Sequence, residues 1–225
     1  MIEKLKRIYR YYFRSQPKFK ISHKTKVEHH GSSYGGWNII PNSLNQDSIV
    51  YSVGIGEDIS FDISVIKKYN CKLYGFDPTP RVQTFLKKEN PHANFIFAPI
   101  GLSDTDGTLI FYTPENDAHI SHKAYASKNS NAVEVKCQKL SSMMRDLGHN
   151  HIDLLKIDIE GFEYQVLENI FQEDVTIRQL LVEFYHIFPE IGNEKTEKIL
   201  QQLEDKGYRL FNVSDSFTEY SFLKI

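Results

Sequence analysis

The run Val53-Gly54-Ile55-Gly56-Glu57-Asp58, with Asp77 about 20 residues further on, constrains this chain more than any other feature. Ser48 to Val53 is an apolar run of strand length. Phe61, Val65, Ile66 and Tyr69 then recur at helical spacing, and Cys71 to Phe76 makes a second strand that Asp77-Pro78-Thr79-Pro80 breaks. Glycines between a strand and a helix let backbone approach a ligand closely. An acidic side chain at the tip of the next strand suits the two hydroxyls of a ribose. The expectation is a nucleoside-binding half-domain.

The local charges narrow the nucleoside. A dinucleotide site places a pyrophosphate on the helix N-terminus and a small residue where this chain has Ile59. Glu57 and Asp58 occupy that N-terminus and would repel a pyrophosphate. S-adenosylmethionine carries an ammonium and a sulfonium and no phosphate, so an acidic first turn suits it. The same two carboxylates are also compatible with simple complementation of the helix dipole.

Further strand and helix signals alternate along the chain. Val82, Phe85 and Leu86 mark a helix, Asn94 to Ala98 a third strand, and Ser103-Asp104-Thr105-Asp106-Gly107 a turn. Thr108 to Tyr112 and Val133 to Cys137 alternate like an antiparallel pair. The polar stretch 113–131 between them, with His119, Ser121 and His122, has the length of a functional lid or of a segment without fixed structure. Leu140 to Leu147 is a short helix, Ile152 to Asp158 a buried strand, Phe162 to Ile170 a helix, Gln179 to Tyr185 a strand, and Glu194 to Asp205 a charged helix. Tyr208 to Val213 and Tyr220 to Lys224 follow each other without a helix and must pair antiparallel. Such a series predicts an open, mostly parallel α/β sheet with helices on both faces.

A second acidic cluster, Lys156-Ile157-Asp158-Ile159-Glu160-Gly161-Phe162-Glu163, leaves a strand and enters a helix. Alternation puts Lys156, Asp158 and Glu160 on one side. Ligands of open α/β sheets sit beyond the carboxyl ends of the strands. Asp158 and Glu160 are therefore candidate site residues, and Gly161 permits the sharp turn. The bland alternatives are an ion pair of Lys156 with Asp158, and helix N-terminal charges at Glu160 and Glu163. His186, just past the Gln179 to Tyr185 strand, is a candidate general base or an ordinary hydrogen-bonding residue. Gly31-Ser32-Ser33-Tyr34-Gly35-Gly36-Trp37 reads either as a site segment or as a turn with a core tryptophan.

Composition limits the function classes. The chain has 225 residues, 40% apolar content and only two cysteines, Cys71 and Cys137, in separate strands. That supports one α/β domain with an extension and argues against a disulfide framework or a zinc site. No apolar run approaches the roughly 18–20 residues of a spanning helix, and the N-terminus lacks a signal-peptide core. A cytoplasmic protein is the expectation. Nine Lys/Arg against two Glu give residues 1–30 a charge of +7, which leaves −9 for the rest of a chain whose net charge is −2. The basic stretch 1–26 suits peripheral contact with an anionic membrane, cover for an acidic site mouth, or a docked surface helix. No base-reading or single-strand motif points to nucleic acid.

Taken in order, Tyr51-Ser52-Val53-Gly54-Ile55-Gly56-Glu57-Asp58, Phe76-Asp77-Pro78-Thr79-Pro80, Gly101-Leu102-Ser103-Asp104, Leu154-Leu155-Lys156-Ile157-Asp158-Ile159-Glu160-Gly161-Phe162-Glu163 and Val182-Glu183-Phe184 resemble the FkbM-like family of S-adenosylmethionine-dependent methyltransferases. The resemblance covers roughly residues 31–224, so residues 1–30 read as a basic extension and 31–225 as the cofactor-binding domain. It implies a class I methyltransferase fold, a Rossmann-like seven-stranded sheet ending in an antiparallel hairpin. It also implies that Gly54, Gly56 and Glu57 lie along the methionine of the cofactor and that Asp77 with Pro78 holds the ribose. Ser103 and Asp104 would meet the adenine edge, and Asp158 the floor near the methyl. Ser52 departs from the pattern, because many members carry an acid there. Glu57, or the segment around Tyr34, then becomes the candidate partner of the cofactor's amino group. The implied activity is O-methylation of a sugar, polysaccharide precursor or related small molecule, with His186, Asp158 or Glu160 as base. Mg²⁺ at Asp158 is an option that the spacing does not require. The competing reading is a non-catalytic nucleoside-binding module that docks through its basic N-terminus.

Overall fold

A computed structural model describes residues 16–112, 132–173, 175–188 and 191–225. The first half of the basic extension and the polar stretch holding His119, Ser121 and His122 lie outside the described residues.

Twelve strands and five helices make up the described chain. A two-stranded antiparallel ribbon, β1 (Glu28–His30) with β2 (Trp37–Ile39), comes first. The main sheet takes β3 (Ile49–Val53), β4 (Lys72–Phe76), β5 (Phe95–Ala98), β9 (Ile152–Ile157), β10 (Ile177–Glu183), β11 (Tyr208–Val213) and β12 (Glu219–Lys224). Its order is β11-β12-β10-β9-β3-β4-β5. The four pairings from β10 to β5 are parallel, while β12 runs antiparallel to both β10 and β11. This is the expected seven-stranded sheet with its terminal hairpin. The alternating pair β7 (Gly107–Tyr112) and β8 (Ala132–Gln138) forms a separate three-stranded sheet with β6 (Gly101–Leu102).

Side-chain alternation sorts the core into two layers. On β3, Val50 packs with helices α1 (Ser60–Tyr69) and α2 (Pro80–Glu89) on one face, while Tyr51 and Val53 face the other. Leu154 against Leu155, and Leu181 against Leu180, divide in the same way on β9 and β10. The second face is covered by α3 (Leu140–Leu147), α4 (Glu163–Gln172) and α5 (Gly192–Asp205). The inner strands β3, β9 and β10 thus bury both faces, which is why their runs read as continuously apolar. The ends of the first two helices are set locally: α2 opens on Pro80, and Asn70 and Asn90 close α1 and α2 in the left-handed conformation.

The described part of the extension packs on this body. Pro17 is buried, and Phe19 sits 6.1 Å from the ring of Phe217 and 5.7 Å, edge-on, from that of Tyr220. The Ser22 amide donates to Leu210 O at 2.9 Å. No described helix is long and apolar enough to cross a membrane.

Candidate active site

β3 lies between β4 and β9 in the sheet, so the loops after these three strands meet at one edge. The Gly54 amide donates to Phe76 O at 2.9 Å, and the Asp158 amide donates to Val53 O at 3.1 Å. The two sequence clusters are therefore stitched to one turn. A Cβ on Gly54 would stand 1.6 Å from Asp158 O, and the residue has φ +74°, so only glycine fits there. Gly56 also has positive φ, but a Cβ there would meet nothing within 4 Å. It borders open space.

That space is a cavity of about 620 Å³, in the range of small-molecule sites. Tyr34, Gly54, Gly56, Glu57, Asp77, Pro78, Asp158 and Glu160 line it, as the sequence suggests. Tyr34 stands at the rim, 83% exposed. Asp77 is buried and already committed on one side: its Oδ1 accepts from the amide and hydroxyl of Thr79 at 2.9 and 2.7 Å. Its Oδ2 accepts from the Gly56 amide at 3.1 Å. These bonds fix the carboxylate at the strand tip and leave one of its roughly four acceptor sites, on Oδ2, for a ligand hydroxyl.

Three sequence-based candidates do not reach the cavity. Ser103 is buried, and its hydroxyl turns to Asp104 Oδ1 at 3.1 Å; Gly101 and Leu102 line the wall instead. His186 lies beyond the end of β10, buried, with Nε2 3.1 Å from Gln16 Oε1. Burial lowers its pKa to about 4. His186 is thus not placed to act as the base: Tyr185 and Phe188, on either side of it, line the cavity, while its imidazole turns to Gln16 of the N-terminal arm.

The floor is more elaborate than alternation along one strand predicts. β9 ends at Ile157, so Ile159 lines the cavity beside Asp158 and Glu160. Glu160 has φ +57° and Gly161 φ +106°, a sharp reversal. Glu163, also a proposed helix-end charge, is fully buried and accepts from the amides of Ile159 and Gly161 at 3.0 and 2.9 Å. It ties that reversal to the first turn of α4, and burial pushes its pKa up to about 8. Lys156 donates to Gly54 O at 2.9 Å, lies 3.7 Å from Asp158 Oδ2 and stands 5.8 Å from the centre of the Trp37 ring. It serves both the ion pair and the turn.

Sequence reasoning missed the far wall. Glu183 and Glu219 oppose each other across β10 and β12 and both line the cavity, with Tyr185, Phe162, Phe188 and Trp37. Tyr185 donates to Asp158 Oδ1 at 3.2 Å and stacks on Phe188 with ring centres 5.4 Å apart. Burial, then the charge of Asp158, holds Glu183 well above the carboxylate range, and burial raises Glu219 as well. A charged residue closing an apolar strand, as Glu183 closes β10, was the available signal. Among the described residues no group of three or more His, Cys, Asp or Glu is placed to hold a metal ion.

Comparison with known proteins bears on this arrangement. The model of the methyltransferase FkbM domain matches residues 25–210. The human probable methyltransferase-like protein 24 is 27% identical over 187 residues, covering 78% of this chain and 45% of that one. Methyltransferase sdnD of Sordaria araneosa is 27% identical over 201 residues, covering 73% of this chain and 75% of its own. The chain spans less than half the length of the methyltransferase-like protein 24 relatives that it matches. Among solved structures, Aeropyrum pernix fibrillarin with natively bound S-adenosyl-L-methionine is similar at TM-score 0.46 and 13% identity, over 93% of this chain and 85% of that one. The seven-stranded sheet with its antiparallel hairpin is the class I methyltransferase fold. The family model runs from the ribbon before β3 into β11 and takes in both glycine turns that floor the cavity: the chain belongs to the FkbM methyltransferase family.

Proposed function

We propose that this domain transfers a methyl group from S-adenosylmethionine to a hydroxyl of a sugar or related polyol. The observation that carries this reading is one cavity with two chemically different ends. Asp77 closes one end, and Asp158 with Glu183, Glu219 and the aromatic wall closes the other.

The residues present fit the cofactor. Asp77 would take a hydroxyl of the ribose diol, Leu102, Val82 and Pro78 offer an apolar berth for the base, and Gly54 and Gly56 leave room for the chain between them. When bound, S-adenosylmethionine supplies an activated methyl group on a sulfonium. The chain's own task is to hold an acceptor oxygen in line and to remove its proton. Positioning of this kind can contribute several kcal/mol of barrier reduction.

Asp158 is the proposed base, in place of His186. Its carboxylate is oriented by Tyr185 and stands beside the Lys156 ammonium. Glu160 is the alternative, held on the left-handed residue of the same loop. Glu183, with its pKa raised to about 9, supplies a protonated carboxyl, and Glu219 beside it additional oxygens, that can hydrogen-bond further hydroxyls. Tyr34, Phe162, Tyr185 and Phe188 give flat faces of the kind that pack on sugar rings. A phosphate-rich acceptor such as nucleic acid would meet mostly carboxylates here, which favours an uncharged polyol.

The test is incubation with deuteromethyl S-adenosylmethionine and a panel of mono- and oligosaccharides, read by mass spectrometry. A labelled methyl ether together with S-adenosylhomocysteine supports the reading. Labelled amine products in a parallel panel of amines, with none on sugars, would overturn the acceptor class. Binding without product in any panel would favour a non-catalytic nucleoside-binding module.

A further inference from the structure

The methionine end of the proposed cofactor carries an α-ammonium, and a cation taken into a partly buried site needs a counter-charge. Ser52, at the penultimate position of β3, offers none: it is fully buried and does not line the cavity. Asp62 is buried within α1 and does not line it either. The acids of the first glycine turn that do border the cavity are Glu57 and Asp58.

These two neighbours are turned to opposite ends. Glu57 pairs with Arg81 of α2 at 2.8 Å, and α2 follows Asp77 directly. Glu57 therefore belongs to the ribose side. Asp58 faces the other way, into the segment between β1 and β2. Its Oδ2 accepts from the Ser32 hydroxyl at 2.6 Å and its Oδ1 from the Ser60 amide at 2.8 Å. The Ser32 oxygen in turn accepts from the amides of Tyr34 and Gly35 at 3.1 and 2.9 Å. A Cβ on Gly35 would lie 2.8 Å from Asp58 Oδ2, so a side chain there would push the carboxylate aside. Two residues on, Trp37 stands over Lys156, the strand neighbour of Asp158. Asp58 is thereby linked to the Asp158 end, across the turn from Asp77.

The carboxylate is also kept charged. Burial alone would raise its pKa, but the hydrogen bonds from Ser32 and Ser60 outweigh that and hold it below the usual range. The Ser60 hydroxyl and the Gly35 amide also favour the charged form, so a cofactor ammonium would be held by the charge of this carboxylate rather than by a vacant lone pair.

We infer that Asp58, oriented by Ser32 and Gly35, is the counter-charge for the cofactor's α-ammonium and so selects nucleosides that carry an amino-acid tail. The inference rests on the cofactor reading above and deepens it. Asp58 acts on binding and selectivity, while Asp77 acts on any nucleoside with a free ribose diol.

The experiment measures affinities of the full chain for S-adenosylhomocysteine, its decarboxylated analogue, and 5′-methylthioadenosine, which lacks the tail. Asp58→Asn should weaken the first two by about tenfold or more, as expected for loss of a charge-assisted bond, and leave methylthioadenosine within about threefold. Undiminished methylthioadenosine binding also reports that the variant is folded. Ser32→Ala, which keeps the charge but frees the carboxylate, should shift the same ratio in the same direction by less. Equal weakening of all three ligands, or no change in any, would overturn the inference. Failure of the wild-type chain to bind any of the three would instead refute the cofactor reading.

Discussion

Replacing Gly54 with alanine tests whether the glycine turn and the Asp158 loop form one unit. The added methyl would lie 1.6 Å from the Asp158 carbonyl oxygen and 2.7 Å from its carbon, at φ +74°. Both contacts are with backbone, and the Asp158 amide is itself bonded to Val53 O, so neither side can yield cheaply. The left-handed conformation costs a non-glycine residue about 1–2 kcal/mol, and forced repacking adds about 1–3 kcal/mol. A total of about 2–5 kcal/mol corresponds to a melting temperature lower by roughly 4–20 °C in a domain of this size. Gly56→Ala is the internal control. It has φ +60° but no atom within 4 Å of the new methyl, so only the conformational cost applies, about 2–8 °C. Thermal melts followed by circular dichroism compare the two. Because the Gly56 methyl would enter the cavity, that variant should also bind S-adenosylhomocysteine more weakly while remaining folded. Melting temperatures of the two variants within about 3 °C of each other would refute the close approach.

Other consequences are equally direct. Glu163 and Asp62 have folded-state pKa values raised to about 8 and about 6 by burial, so between pH 5 and 8 the folded state binds more protons than the unfolded chain. Their contribution therefore falls as pH rises, and Glu163→Gln should flatten the decline in melting temperature over that window; an unchanged slope would count against it. Phe19→Ala should lower stability by about 2 kcal/mol, or roughly 4–8 °C, through the lost ring contacts with Phe217 and Tyr220, with cofactor affinity unchanged. Asp158→Asn should reduce turnover by about 10²-fold or more while His186→Gln leaves it within about threefold; steady-state kinetics with the reverse order would return the base role to the histidine.

Much of the sheet was legible because its signals are local. Apolar runs, helical spacing and a glycine turn mark β3, α1 and β4 without reference to the rest of the chain. The pairing of β3 with β9, which brings Asp158 to Gly54, was not fixed by these signals, because alternating strands and helices leave the strand order open. The far wall was not legible in that way. Glu183 meets Glu219 through a register between strands 36 residues apart in the chain, with α5 and β11 between them. His186 stays out of the cavity because Tyr185 and Phe188, on either side of it, take the cavity side, which a strand end does not reveal. Its burial under Gln16 depends on the arm from the opposite end of the sequence. The opposed directions of Glu57 and Asp58 likewise follow from long-range partners, Arg81 and Ser32.

The central claim is that this cavity holds S-adenosylmethionine with its ribose on Asp77. Calorimetric titration of S-adenosylhomocysteine into the wild-type chain and into Asp77→Asn tests it most directly. The account predicts one binding site on the wild type and affinity lower by about tenfold or more in the variant, since a hydrogen bond to a charged acceptor contributes about 1.5–3 kcal/mol. Absence of binding to the wild type, or equal affinity in a folded variant, would contradict it.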